Sequence, residues 1–211
     1  MNGRITFANL MKYIKMSTSF NFGEVMSVVV ASAFLPFLPE TPIQLLVEGL
    51  LYDFGQMTIP FDNVDKEYLD KPKKFDIKSL KRFMLVMGPV SSIFDLLVFA
   101  MLWLIFKVRD AAHFQTIWFV YSIISNLVGM HIVRTAKIPF IQSNANKMVY
   151  LSSGLLILIG ILVPFTALGT AIGLAPIALE YIGMMFIVTF LYCIVASIAK
   201  KIYIKKYGEW I

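Results

Sequence analysis

The sequence has one cysteine, two histidines and few charged residues. Cys193 stands alone among 211 residues, which excludes a disulfide bond within one chain. His113 and His131 lie far from Cys193 and lack the spacing of zinc or copper ligands. Residues 1–15 are polar and basic with no short apolar core, so we expect no cleavable signal peptide.

Apolar residues, in contrast, are abundant. They make up 58% of the chain, and the mean hydropathy is +0.75, whereas soluble domains contain about 45–50% apolar residues. This composition predicts a polytopic membrane protein whose partner is the lipid bilayer. The formal net charge of +6 would also suit a nucleic-acid partner. However, the basic residues are grouped between apolar stretches, which indicates membrane topology and no nucleic acid.

Runs of about 20 apolar residues predict about six transmembrane helices. The predicted fold is therefore all-α, a polytopic membrane helix bundle formed by one domain over residues 1–211. Thr41 followed by Pro42 resembles an N-cap with proline in the first helical turn, so we expect a helix to begin there. The spans are placed at residues 17–37, 42–60, 83–106, 114–132, 148–168 and 176–198.

The basic residues predict the orientation of these spans. Seventeen of the 19 Lys and Arg residues fall before the first span, between alternate spans or after the last. Only Lys107 and Arg109 fall on the opposite side. By the positive-inside rule both termini are expected in the cytoplasm, and the chain in the cell inner (plasma) membrane.

Acidic residues interrupt the first two spans. An ionised carboxylate in mid-membrane costs roughly 2.5–3.5 kcal/mol, so such residues usually meet a cation, a proton or a hydrogen-bonding partner. Asn21 and Glu24 share one helix face, as do Gly49 and Asp53, while Glu48 points partly away from Asp53. The short proline-rich turn predicts that the two spans pack as an antiparallel pair.

These oxygen-bearing groups predict a site for a hard cation such as magnesium or calcium. The predicted ligands are Asp53, Glu24, Asn21 and Glu48. The alternative is that each acid is protonated or bonded to a neighbouring helix. We assign Asp95 such a structural role, and we expect Trp118 to anchor its span at the membrane interface.

The loop over residues 61–82 mixes acids with lysines and contains Pro72. Two interpretations stay open, a solvated loop anchored at lipid headgroups and a docking surface for a cytoplasmic domain.

Several stretches resemble P-type cation ATPases. Residues 21–24, 31–36 and 50–53 are similar to the fifth and sixth membrane helices of that family, and residues 65–72 to the loop that follows. Residues 83–95, with the segment from Gly88 to Asp95, resemble the seventh helix of the bacterial magnesium-transporting subclass. Residues 134–143 resemble the loop between helices eight and nine of that subclass.

The resemblance implies that the chain is the C-terminal half of a pump's membrane domain, helices five to ten. Magnesium would be the transported substrate, with no organic cofactor in this chain. In the family, a fourth helix shares the cation site and a separate cytoplasmic domain is phosphorylated by ATP. The sequence contains no Asp-Lys-Thr-Gly motif and no nucleotide-binding domain, so we expect no catalysis by the isolated chain. The missing N-terminal half is its implied partner.

Two positions depart from the family pattern. Gly49 stands where an asparagine is usual, and Glu24 stands where the magnesium subclass has asparagine and calcium pumps have glutamate. A calcium-type pump fragment is therefore one alternative. A non-enzymatic, pump-derived protein or regulatory subunit is another, and a proton-driven secondary transporter is a third. The chain could be a fragment, a split subunit or a truncated gene product.

Overall fold

A computed structural model describes residues 2–70 and 73–210, and these residues are predominantly helical. A 3₁₀ turn at Ile59–Phe61 follows the second helix, a π-helical turn at Met101–Ile105 extends the fourth, and a 3₁₀ turn at Val163–Phe165 follows the sixth. The α-helices of the described ranges are α1 (Asn2–Ser32), α2 (Pro42–Gln56), α3 (Lys66–Leu69), α4 (Ile77–Ala100), α5 (Ala111–Val133), α6 (Lys147–Leu162), α7 (Ala167–Ala171) and α8 (Leu179–Tyr207).

Several helices begin at a capping side chain, as their sequences favour. The Thr41 side chain accepts a hydrogen bond from the Gln44 backbone, and Gln44 bonds back to the Thr41 backbone. The predicted start of a helix at Pro42 is thereby confirmed. Asp76, Asp110 and Asn146 cap α4, α5 and α6, each by accepting a hydrogen bond from a backbone amide of the first turn.

The long helices connect two ends of one bundle. At the Leu38 end, Gln115 at the start of α5 donates to the Leu38 carbonyl, and Gln44 at the start of α2 donates to the Ile172 carbonyl. At the Asp62 end, Asp62 contacts Arg134 just after α5 and Asn146 just before α6. The loops rich in lysine and arginine lie at the Asp62 end, as the alternating topology predicts.

Four helical segments are long and apolar enough to cross a membrane, among the residues that the structure describes. They correspond to α4 with its π turn, α5, α6 with its 3₁₀ turn, and α8. Helix α2 has 15 residues, and α1 carries its polar residues along much of its length. Their crossing of the membrane stays a prediction. The other four helices match the predicted bounds to within three residues, except that α4 begins at Ile77 rather than at 83 and α8 ends at Tyr207 rather than at 198.

Helix α5 is the centre of the bundle, packed against α2, α6 and α8. Nearly every side chain from Phe114 to Val133 is buried. Trp118 is only 1% exposed, and its ring packs at a tilt against the rings of Phe99 and Tyr121, with centroids 4.4 and 5.7 Å away. Its predicted role as an interface anchor is therefore wrong, because α5 is enclosed by other helices rather than by lipid.

Helix α1 packs mainly along α4, not along α2. A Cβ added to Gly23 would lie 2.8 Å from the Gly88 carbonyl oxygen, so the two backbones nearly touch. The Ser92 hydroxyl donates across this contact to the Gly23 carbonyl at 2.7 Å. The prediction that the first two spans pack mainly against each other is therefore wrong, because the principal partner of α1 is α4. The glycines let α4 approach α1 more closely than α2 does.

Candidate ion-binding site

Three glutamates from different segments meet inside the bundle. Glu24 comes from α1, Glu48 from α2, and Glu40 from the loop between them. One carboxylate oxygen of each lies within 4.8 Å of the others. We call Glu24, Glu40 and Glu48 the glutamate trio. Two of the four sequence-predicted ligands are thus brought together, and a third acid that the sequence reasoning missed joins them.

The carboxylate of Glu48 is fixed by α5. The Ser122 hydroxyl donates to Glu48 Oε1, and the Asn126 amide donates to the same oxygen at 3.5 Å. Asn126 also donates to the Ser122 hydroxyl at 3.2 Å, so the two polar side chains of α5 support each other. Both Glu48 contacts go to Oε1, and Oε2 is left buried without a hydrogen-bond partner among the described residues.

Most of the remaining trio oxygens lack protein partners. Glu24 Oε1, both carboxylate oxygens of Glu40, and Glu48 Oε2 are buried without a hydrogen bond among the described residues. Glu40 is 6% exposed and Glu48 is 2% exposed. No lysine or arginine within the described ranges forms an ion pair with them. Buried acids in this arrangement require a cation or protons.

The other two predicted ligands lie elsewhere. Asn21 and Asp53 are exposed, on surfaces of α1 and α2 that the described residues do not cover. Asp53 lines a surface cavity of about 530 Å³ together with Asn9, Tyr13 and Gln56. The expected convergence of Asn21, Glu24 and Asp53 in one enclosed seam is therefore not observed in this chain, and a role for Asn21 and Asp53 in metal binding stays a prediction.

Helices α1 and α2 still touch through side chains near that cavity. The Ser17 hydroxyl donates to Gln56 at 2.7 Å, and the rings of Phe20 and Tyr52 lie 5.8 Å apart. These contacts continue into the Glu24 and Glu48 pair. The seam between α1 and α2 was predicted correctly for this one line of side chains.

The sequence did not predict Glu40 as a ligand, because it precedes an N-cap in a proline-rich turn, where an acidic residue is usually exposed. Helix position could not reveal it, since the loop folds inward rather than continuing either helix. The available signal was that Glu40 is an acid beside an apolar helix start with no basic residue near it in sequence.

Asp95 has the structural role that the sequence suggested. It is 7% exposed, and it accepts a hydrogen bond from the Ser27 hydroxyl at 2.7 Å. This bond joins α4 to α1 one turn beyond the contact between Gly23 and Gly88.

At the Asp62 end, the loop after α2 is tied into the bundle. Asp62 accepts from Lys12 at 2.6 Å, from Arg134 at 2.9 Å and from the Asn146 backbone at 3.2 Å. Asp65 accepts from Thr135 at 2.5 Å and from Ser143 at 2.7 Å. The first part of the 61–82 loop is thus bonded to the bundle through the buried Asp62 and the half-buried Asp65, rather than being a simple solvated loop.

Charge and burial compete in this network. Burial alone would raise the pKa of Asp62, but Lys12 and Arg134 outweigh it and hold that pKa below its usual range. Lys15, which donates to the Trp210 carbonyl at 2.7 Å, has its pKa lowered to about 8 by burial. Asp62 is therefore the ionised anchor that the buried Lys12 and Arg134 need.

Comparison with known proteins agrees with these features. Residues 37–202 match the family described as cation transporting ATPase, C-terminus. The chain is 47% identical, over its whole length, to the magnesium-transporting ATPase, P-type 1, of Salmonella typhimurium strain LT2. It is 42% identical, over 99% of its length, to the protein of the same name from Escherichia coli K12. The chain spans about a quarter of the length of each of these relatives.

Proposed function

Because the chain belongs to the cation transporting ATPase C-terminus family and forms the C-terminal membrane portion of such an ATPase, we propose that it is the ion-translocating part of a magnesium-transporting P-type ATPase. The observation that carries the proposal is the pairing of Glu24 with Glu48 inside the bundle, at positions where the sequence predicts ligands. Magnesium is then the transported substrate.

The proposed pathway uses both surfaces of α1 and α2. Glu24 and Glu48 bind the ion from within this chain, while Asn21 and Asp53 face outward. Their exposure supports a site that is completed by helices outside this chain, as the resemblance to the family implies. The phosphorylation and nucleotide-binding domains belong to that missing part, and hydrolysis of ATP is expected only when the two parts are joined.

The network around Asp62 and Asp65 is the proposed coupling element. It ties the loop after α2 to the start of α1 and to the segment after α5. Movement of a cytoplasmic domain against this end would reach α1 and α2 directly. In this proposal the Asp62 end and both termini face the cytoplasm, residues 1–211 act as one membrane domain, and the pump resides in the inner (plasma) membrane.

A chimeric pump tests the proposal. The matching quarter of the Salmonella relative is replaced by this chain, and growth at low magnesium is measured in a host without other magnesium uptake. We expect growth and magnesium-stimulated ATP hydrolysis, with loss of both in the Asp53→Asn variant. Glu180→Gln, an exposed acid at the start of α8, is the matched control and should leave both unchanged.

Two outcomes would overturn the proposal. A chimera that is expressed and phosphorylated but does not support growth at low magnesium would contradict magnesium transport by this chain. Stimulation of ATP hydrolysis by calcium, with none by magnesium, would instead favour a calcium-type pump fragment. A chain that only alters the activity of an intact, co-expressed pump would favour the regulatory subunit.

A further inference from the structure

The glutamate trio has the donor chemistry of a divalent-cation site. Its members offer carboxylate oxygens alone, which suit magnesium or calcium and not zinc or copper. One oxygen from each lies within 4.8 Å of the others. Oxygens on opposite sides of a bound magnesium or calcium ion are about 4–5 Å apart, so the trio is already close to the size of a coordination shell.

Buried, unpartnered oxygens point to a ligand rather than to a chance cluster. Glu40 is only 6% exposed, yet neither of its carboxylate oxygens has a hydrogen-bond partner among the described residues. Glu48 is more deeply buried, and its Oε2 is likewise without a partner. Three carboxylates gathered without a basic residue repel one another, and a divalent cation relieves that repulsion.

The surrounding helices hold the trio in place. Ser122 and Asn126 of α5 both bind Oε1 of Glu48, which fixes this carboxylate and leaves its Oε2 without a partner among the described residues. The loop carrying Glu40 is fixed on both sides. The Thr41 cap follows it, and the Gln115 amide holds the preceding Leu38 carbonyl at 2.9 Å.

We propose that Glu24, Glu40 and Glu48 form a divalent-cation site that is complete within this chain and separate from the outward-facing Asn21 and Asp53. Glu40 is its distinctive ligand, because it comes from the loop at the Leu38 end and not from a helix. Only the assignment of magnesium as the ion at this site rests on the proposed function. Its position places Glu40 where an ion passes between the bundle interior and that end.

The test is magnesium binding by the purified chain in lipid nanodiscs, measured by isothermal titration calorimetry and by the shift in Tm that the ion produces. We expect wild type to bind and to melt at a higher temperature with magnesium. Glu40→Gln, Glu48→Gln and Glu24→Gln should each weaken binding at least tenfold. Calcium is titrated in parallel, because the same donors accept it.

Melting without metal separates ligand loss from misfolding. Each glutamine variant removes one repelling charge, so its Tm without magnesium should equal or exceed that of wild type while the magnesium-induced shift is lost. A purely structural role would instead lower the Tm and leave the shift intact. Glu180→Gln is the matched control, and it should bind and melt like wild type.

Three results would overturn the inference. The first is the lack of any magnesium or calcium effect on wild type at millimolar concentration, which would leave the trio holding protons only. The second is binding by the trio variants with unchanged affinity. The third is loss of binding in Asp53→Asn while the trio variants still bind. None of these repeats the growth test, because growth reports transport by the joined pump, whereas these measurements report ion binding by this chain alone.

Discussion

Asp62 shows how one side chain can hold several segments together. Its two carboxylate oxygens bind Lys12 of α1, Arg134 after α5 and the backbone of Asn146 before α6. The Asp62 side chain is fully buried, and those of Lys12 and Arg134 are 3% and 1% exposed. The burial of each cation is therefore stable only while Asp62 is present and ionised.

We expect Asp62→Asn to destabilise the bundle by about 3–5 kcal/mol, since it leaves two buried cations without their anion. The measurement is the Tm of the chain in nanodiscs. Glu67→Gln is the control. It removes an ion pair with Lys137 whose partners are 66% and 37% exposed, so it should cost less than about 1 kcal/mol. Equal losses in the two variants would show that burial does not decide the effect.

The same residue predicts a dependence on acid. The pKa of Asp62 is lower in the folded chain than its unfolded value of about 3.9. Its stabilisation is therefore complete above about pH 4 and is lost as the pH falls through the folded value. We expect the Tm of wild type to fall more steeply below pH 4 than that of Asp62→Asn. Parallel curves from pH 6 to pH 3 would contradict this.

At the level of the helix, the contact between α1 and α4 depends on two glycines. A Cβ on Gly23 would overlap the Ser91 hydroxyl oxygen and lie 2.8 Å from the Gly88 carbonyl oxygen. A Cβ on Gly88 would lie 2.6 Å from the Phe22 ring and 3.2 Å from the Ser19 carbonyl oxygen. Backbone atoms are among these neighbours, and they cannot move aside as a flexible side chain does.

We expect Gly23→Ala and Gly88→Ala each to destabilise the chain by about 1–3 kcal/mol, because the added methyl group forces the two helices apart. Gly183→Ala in α8 is the matched control, since nothing lies within 4 Å of its added Cβ. It should be neutral or slightly stabilising, because alanine favours helix more than glycine does. Thermal melting in nanodiscs compares the three, and a neutral Gly23→Ala would argue against the close contact.

The helices themselves were largely predictable, and their partners were not. Apolar runs located the long helices, and Thr41 with Pro42 located the start of α2, because these signals are local. The pairing of α1 with α4 depends on Gly23 and Gly88, which are 65 residues apart in the sequence. Likewise Glu40 joins the trio through the path of a loop, which hydropathy and helical spacing do not describe.

At the scale of the whole molecule, the proposed function predicts that the rest of the pump attaches to the exposed sides of α1 and α2. The exposed residues include Asn21 and Asp53, and Asp53 lines the cavity of about 530 Å³. Such a polar, ligand-bearing surface within an apolar bundle is expected to be covered in the assembled protein. The sequence indicated this only through its family resemblance, since no local pattern distinguishes a lipid-facing surface from one that receives further helices.

We expect Asp53→Cys to react with a small maleimide in this chain alone and to be protected in the chimeric pump. The background is Cys193→Ala, which removes the natural thiol. Glu180→Cys, at the start of α8, serves as the control and should react in both proteins. Equal labelling of Asp53→Cys in both would show that the missing half does not cover α2.

The near contact of Gly23 with Gly88 also sets how force can travel through this bundle. Because the Ser92 hydroxyl bridges the same crossing, rotation of α1 about its own axis would break this hydrogen bond and the close contact with α4. A force applied to the N-terminal part of α1, where Asn9 and Lys12 are hydrogen-bonded to Asp62, would be transmitted to α4 as well. Helices α1 and α4 would therefore move together as one rigid unit. The rigidity of this pair sets the smallest displacement that can open an ion path beside it.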